Sequence, residues 1–411
     1  MASSPFGYAR YRVTNDERRA IIAAMTEKTV ERTEHRSAVR VASTRLDDPE
    51  MAIRALFGEL DPPSLSGILV FCSSRYDLDA LGEALRSRAE GLTLIGCTSS
   101  GELTPEGFAE GTITAIGFPA EDFTLSATCF QDLDHFDASR AQQQVRSLVA
   151  DAAVASGALG SSPNRVALFL VDGLSHREEM LTVTVQDALG DIPLIGGSSG
   201  DGLAFRETFV FHDGQFRRDA AIVAILESCR PMRVFRSQYY GPGSVRMVIT
   251  GADPVHRIVT EINAEPAAQE YARLIGVQAA DLGPELFAAF PLLVRAGGEY
   301  YVRSIQSVNA DGSLTFYCAI DEGVVLSLGE ARDIVGDLTE LFDGLDAAVG
   351  GIDRVLGFDC VLNSVEIMQR QLTGQVSAIF AGRGVVGFNT YGEQYHALHV
   401  NQSFTGLAIG R

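Results

Sequence analysis

The sequence predicts an α/β to α+β protein, with an N-terminal duplicated β-α-β-β-β domain of helix-covered sheets and an α+β C-terminal domain. Three observations predict it. Two stretches share one order of strand, helix, strand, Gly/Ser-rich loop and strand pair. Strand-length apolar runs alternate with segments of helical period, which calls for sheets covered by helices. Beyond residue 250, alternating segments and a long amphipathic stretch follow in a different order.

Residues 1–38 are charge-rich, with weak helical periodicity through Ile21, Ile22 and Met25, and read as a solvated helical extension. The duplicated domain is expected over 39–250. Its first strands are Ile68–Phe71 and Leu168–Val171. Leu78, Leu81 and Leu85 follow Asp77 at helical spacing. Leu181, Val185 and Leu189 follow Ser175, and Gly190 supplies a stop. The second strands, LTLIG at 92–96 and IPLIG at 192–196, run into the loops LIGCTSSGE from Leu94 and LIGGSSGD from Leu194. Strand pairs close each copy, Thr112–Phe118 with Phe123–Phe130, and Ala220–Leu226 with Met232–Tyr239.

The C-terminal domain is expected over 251–411. Pro266 and Gly276 bracket a helix. Segments 299–308 and 313–320 form a hairpin turning at Asp311-Gly312. An amphipathic segment at 330–349 precedes strands at 355–363, 384–389 and 403–409.

The 411 residues are 46% hydrophobic and 21% charged, the balance of a soluble globular protein. Asp and Glu total 53 against 33 Lys and Arg, a net charge of −20 that phosphate backbones and anionic lipid repel. No nucleic-acid or membrane partner is therefore expected. No apolar run approaches the ~18 residues of a membrane helix, and MASSPFGYARYRV has no secretory apolar core, so a cytoplasmic location is expected. Six scattered cysteines without CxxC read as reduced, mostly buried thiols.

Candidate chemistry lies in loops at strand ends. In VDGLSHREE (171–179), Ser175 and Glu178 have capping-box spacing, while Asp172 and Gly173 face the crevice that open α/β sheets form beyond their strands. Cys97, Thr98 and Glu102 lie on one Gly/Ser loop, and Ser198 and Asp201 on its repeat. Small residues there permit close backbone approach and serve equally well as tight turns. Gly196-x-Ser198-x-Gly200 matches a nucleophile elbow, but Glu207–His212 reads as a strand ending at Asp213-Gly214, where that motif needs a helix. Gly382-x-Gly384-x-x-Gly387 opens a strand and so does not bind a dinucleotide. Near the C-terminus Glu393, His396 and His399 are spaced by three. On a helix they could hold a metal, but Val400, Phe404, Leu407 and Ile409 suggest extended chain. His399 is the first candidate for an axial haem ligand, with His396 and His176 next. No catalytic constellation survives these contexts, so an enzyme is not expected.

These motifs resemble the FIST domain family. IGCTSSGEL, VDGLSHREE and IPLIGGSSGDG resemble the FIST N module, and VLGFDCVL and GFNTYGEQYHALHVNQSFTGLAIGR the FIST C module. The resemblance implies an intracellular sensor of a small ligand, with amino acids as proposed ligands. Some stand-alone bacterial members look like haem proteins that sense nitric oxide and regulate a histidine kinase. Others are linked to cyclic-di-GMP enzymes. The resemblance implies non-covalent haem b held by His399, in the family's HVNQ motif, with Tyr391, Glu393 and Asn401 lining the pocket. Output would pass to a separate partner. The alternative is a haem-free sensor using Asp172, Asp201, Glu393 and the Gly/Ser loops for ammonium and carboxylate groups, and an uncharacterised enzyme ranks third.

Overall fold

Two parallel neighbouring strands need a crossover between them, and this chain meets that need three times. The computed structural model describes residues 38–89, 91–160 and 163–411, so the helix expected before residue 38 lies outside the described residues. The first repeat runs β1 (Arg40–Thr44), α1 (Pro49–Leu60), β2 (Leu65–Ser73), α2 (Leu78–Arg88), β3 (Thr93–Ser99), the hairpin β4 (Glu102–Thr104) and β5 (Gly107–Ala109), and β6 (Ile113–Pro119). The second repeats the order as β7 (Phe123–Gln131), α3 (Ala138–Ala155), β8 (Asn164–Val171), α4 (Glu178–Leu189), β9 (Leu194–Ser198), the hairpin β10 (Val210–His212) and β11 (Gln215–Arg217), and β12 (Ala220–Ser228).

A third copy occupies the C-terminal part. It begins with β13 (Met232–Gln238) and resumes at α5 (Ile334–Val349) and β14 (Ile352–Cys360). Two helices, α6 (Val361–Gln369) and α7 (Thr373–Gly382), make its crossover to β15 (Val385–Thr390). The hairpin β16 (Glu393–Tyr395) and β17 (Leu398–Val400) and the strand β18 (Ser403–Gly410) complete it. Between β13 and α5, residues 240–331 are inserted as a separate eight-stranded sheet with a helix at Ala267–Ile275.

The strand orders are β1-β6-β2-β3-β10-β11, β7-β12-β8-β9-β16-β17 and β13-β18-β14-β15-β4-β5. Each repeat supplies four strands of its own sheet, and its hairpin completes the sheet of another repeat. The exchange is cyclic. Period-two alternation sorts each strand's side chains between two layers. Leu69 and Phe71, Leu168 and Leu170, and Leu356 and Phe358 point into one shared core among the three sheets. Ile68 and Val70 lie under α1 and α2, Ala167 and Phe169 under α3 and α4, and Val355 and Val385 under α5 and α7. Asp48, Asp77 and Asp137 cap α1, α2 and α3 by accepting from backbone N–H groups at 2.8, 3.0 and 3.0 Å. No helix among the described residues is long and apolar enough to cross a membrane.

The α/β to α+β class, the duplication and the helix bracketed by Pro266 and Gly276 stand as expected. Several expectations change. The boundary at 250/251 falls inside one strand, Tyr240–Asp253, and residues 38–411 form one compact unit. The closing strands do not pair as successive hairpins: β7 lies beside β12, and β13 crosses to β18. This follows from the hairpin exchange, which spends the short connections on β4–β5 and β10–β11. The strand expected at 355–363 ends at Cys360, where α6 begins.

Gly96, Gly196 and Gly387 occupy one register position, opposite Val70, Phe169 and Gly357. A Cβ there would sit 1.9, 1.8 and 1.8 Å from the facing backbone carbonyl oxygen. Gly58 in α1 has nothing within 4 Å of its Cβ position. Chemical denaturation should show Gly196→Ala losing about 3 kcal/mol of stability, as overpacking against rigid backbone does. Gly58→Ala should gain about 0.5–1 kcal/mol from helix propensity.

Candidate functional site

The loops leaving β3, β9 and β15 meet in a closed ring of backbone hydrogen bonds. Ser100 N donates to Asn389 O at 3.0 Å, Gly200 N to Thr98 O at 3.1 Å, and Tyr391 N to Ser198 O at 3.1 Å. Asn389 N returns a bond to Gly101 O at 2.8 Å, Thr98 N to Phe209 O at 2.9 Å, and Ser198 N to Gly392 O at 2.8 Å. The ring needs small residues, since a Cβ on Gly200 would fall 2.0 Å from Ser100 Oγ. Thr98 and Ser198 thus both belong to the ring, each bonded to other members of it rather than to one another. The Thr98 hydroxyl is turned to Phe209 N at 3.0 Å, and that of Ser198 accepts from Gln394 Nε2 at 2.9 Å.

The carboxyl groups at the strand ends are engaged, and those of Glu102, Asp172 and Glu393 are buried. Glu102 accepts from Ser99 Oγ, from Thr112 N at 2.9 Å and from Thr112 Oγ1 at 2.7 Å. Glu393 accepts from Thr390 Oγ1, from Ser403 N at 3.2 Å and from Ser403 Oγ at 2.6 Å. The two occupy equivalent register positions, opposite Phe388 and Gly197; the third equivalent, opposite Cys97, is Val210. Burial raises the Glu102 carboxyl above its ordinary range and pushes Glu393 up to about 8. Asp172 accepts from Thr208 Oγ1, Asp219 N at 2.6 Å and Leu174 N at 3.1 Å. Asp201 accepts from Tyr391 Oη and from three N–H groups of Phe205, Arg206 and Glu207 at 2.8, 2.8 and 3.0 Å. Cys97 lies in the shared core, where burial holds its thiol far above the usual range.

A cleft of about 800 Å³ opens where the first and third repeats face each other. Ser73, Ser74 and Arg75 from the end of β2, Ser100 and Gly101 from the ring, and Glu110 after β5 form its polar side. Val361, Val365 and Met368 of α6, with Phe108, form an apolar wall. Of the residues singled out from sequence, Glu102 and Asp201 line it.

The others gather elsewhere or stand apart. Ser175 does not cap α4. The helix starts at Glu178 with no side-chain cap, because His176 is left-handed at φ 55° and breaks the helical path. Ser175 Oγ instead accepts from Arg177 N at 3.4 Å. Glu178 does not reach back but meets buried Arg257 at 2.5 Å; Glu179 meets the same guanidinium at 2.6 Å and accepts from Ala319 N at 2.5 Å. Gly173 packs against the Ser199 carbonyl, with its N–H on Ser199 Oγ at 3.2 Å. His176 and His396 are exposed, the latter at the turn between β16 and β17 with φ 53°. His399 and Asn401 are buried beside Gln394, and Tyr391 is buried against Phe205. No group of three or more His, Cys, Asp or Glu among the described residues could hold a metal ion.

Sequence reasoning missed Arg75, Glu110 and the α6 wall, since the third repeat that supplies α6 was not recognised. It missed Arg257 because nothing local marks it. Gln394 stood in the TYGEQ motif and could have been read with His399 once both were on one hairpin.

Residues 67–265 match the FIST N domain and residues 267–396 the FIST C domain. No protein of curated function matches the chain. Among solved structures, one described as "Cyanuric acid hydrolase: evolutionary innovation by structural concatenation" is similar at 10% identity, covering 90% of this chain and 99% of that one with a TM-score of 0.32. That similarity is too distant to bear on fold or chemistry.

The Glu393 carboxyl gives a pH signature. In the unfolded chain it ionises near its ordinary value of about 4.3, whereas in the folded chain it keeps its proton up to about 8. Between those values the folded state binds the extra proton, so its stability falls as pH rises. Asp359, pushed up to about 7 by burial, acts in the same direction. Melting temperatures measured from pH 5 to 9 should therefore decline less steeply for Glu393→Gln than for the natural sequence. Equal slopes would show that Glu393 is ionised in the folded state.

Proposed function

Since the chain belongs to the FIST family of small-ligand-sensing signal-transduction domains, we propose that it senses a zwitterionic metabolite of amino-acid type in the cleft between the first and third repeats. The observation that carries this reading is the cleft's composition. The Arg75 guanidinium and the Ser74 and Ser100 hydroxyls suit a carboxylate, Glu110 suits an ammonium group, and Phe108, Val361 and Met368 suit an apolar side chain. A molecule that spans the cleft touches both repeats and favours the arrangement in which they close on it. A separate partner, a histidine kinase or a cyclic-di-GMP enzyme, reads that arrangement.

The protein is proposed to bind without turnover. Cys97 is a protonated core thiol, and Ser198 Oγ is held by Gln394 with no base aligned on it among the described residues. The surroundings of His399 do not fit haem. Its ring lies against Gln394, Asn401 and Gly392, with Arg303 donating to its carbonyl at 3.4 Å, and a porphyrin needs an apolar slot there. The nitric oxide reading therefore supplies no step here.

Titration calorimetry with the L-amino acids should find at least one ligand, and Glu110→Gln and Arg75→Ala should each weaken it about tenfold, the size of one lost charge-assisted hydrogen bond. If no amino acid binds, the reading fails. Protein produced with added haem precursor should be colourless; a stoichiometric Soret band that shifts with nitric oxide would restore the haem sensor.

A further inference from the structure

The cyclic exchange of hairpins places an equivalent of the cleft at each junction between repeats. Where the third repeat meets the second, β16 and β17 stand as β4 and β5 stand in the cleft. Gln394 pairs with His399 as Leu103 pairs with Phe108, so His399 replaces Phe108 and Asn401 replaces Glu110. This junction is roofed. Arg303 of the insertion donates to His399 O, Ser304 Oγ donates to Gln402 Oε1 at 3.0 Å, and Arg257 grips Glu178 and Glu179 of α4. These two guanidiniums and two carboxylates balance, so the edge of the junction carries no net charge.

Beneath the roof, Gln394 Oε1, His399 Nε2, Asn401 Nδ2 and Asn401 Oδ1 are buried without a hydrogen-bond partner. All three residues are at most 3% exposed. Orphaned polar atoms are costly to bury, and four gathered on one hairpin and its following residue call for a common partner. Their chemistry is defined. Gln394 Nε2 lies 3.2 Å from His399 Nδ1, so Nδ1 accepts and Nε2 carries the ring hydrogen. Burial lowers the imidazole below its ordinary range, which favours the neutral ring. The set is therefore two donors and two acceptors. Gly392 packs beneath the pair: a Cβ there would lie 2.4 Å from His399 Cε1, 2.8 Å from His399 Nε2 and 2.9 Å from Asn401 Nδ2.

We infer that this roofed junction is a second ligand site, separate from the proposed amino-acid cleft, and that it takes an uncharged primary carboxamide. The carboxamide oxygen accepts from His399 Nε2 and Asn401 Nδ2, and its NH2 donates to Gln394 Oε1 and Asn401 Oδ1. A carboxylate has no hydrogen to give and would leave both acceptors unmatched. Entry requires the insertion to lift from α4, which ties occupancy to the position of the roof.

Thermal shift and titration calorimetry on the full chain test the site, with acetamide and nicotinamide as probes against acetate and nicotinate. At least one carboxamide should raise the melting temperature and bind at least tenfold more tightly than its carboxylate. Asn401→Leu removes two orphaned atoms at similar volume. It should leave the ligand-free melting temperature equal or higher and erase the carboxamide shift, while amino-acid binding at the cleft persists. Gly392→Ala, whose methyl would displace the His399 ring, should erase the shift independently. The inference is overturned if neither carboxamide binds, or if the shift survives in Asn401→Leu or Gly392→Ala.

Discussion

The ring of backbone hydrogen bonds among the loops after β3, β9 and β15 is the constraint on which the rest of this architecture depends. Each loop must bring its main chain within hydrogen-bond distance of two others, and at the closest approach a side chain does not fit. Gly200 against Ser100, and Gly173 against the Ser199 carbonyl, are the places where that closeness is reached. The Gly/Ser character of these loops is thus first a packing requirement. It is also what leaves N–H and hydroxyl groups at the sheet ends, where a small ligand can use them.

The ring works with the exchange of hairpins. Because β4–β5 completes the third sheet, β10–β11 the first and β16–β17 the second, no repeat can finish its own sheet alone. A hairpin so far from its own strands needs an anchor, and a single register position provides it. Glu102 and Glu393 gather a serine or threonine from the preceding strand end and both donors of the residue that opens the following strand. At the middle hairpin Val210 does the same work by entering the shared core. These glutamates look like ligand residues in sequence because they are acidic and flank small residues; in the fold they hold the hairpins.

How much was legible follows from what each feature costs in sequence. The first two repeats were readable because LTLIG and IPLIG, with the loops after them, preserve spacing, and the glycines at 96 and 196 are fixed by the facing carbonyls. Gly387 obeys the same rule, yet the third repeat was hidden, because residues 240–331 separate its first strand from the rest and two helices replace one. The site was less legible still. Its walls come from elements far apart in sequence, such as Arg75 and Met368, and only tertiary pairing brings them together. His399 could be marked as unusual, but its neighbours Arg257 and Arg303 lie on an insertion with no repeat to compare.

Symmetry in this chain is broken where function would gain from it. Three junctions arise from one design, and the residue after β5 or β17 decides much of their character. Glu110 keeps the first open and charged, while Asn401 makes another neutral and dependent on a roof. The middle hairpin, with Val210 in the core and Phe211 against Phe216, is closed by apolar packing. The insertion grips α4 through Arg257 and the hairpin through Arg303, and it backs the α6 wall of the first junction through Ala288 and Tyr240. A duplicated scaffold held by a backbone ring can keep its fold while each junction changes its chemistry, because the ring bonds through the main chain and excludes a side chain only at its closest approach, as at Gly200. That separation allows one compact chain to carry unlike pockets without weakening the sheets that frame them.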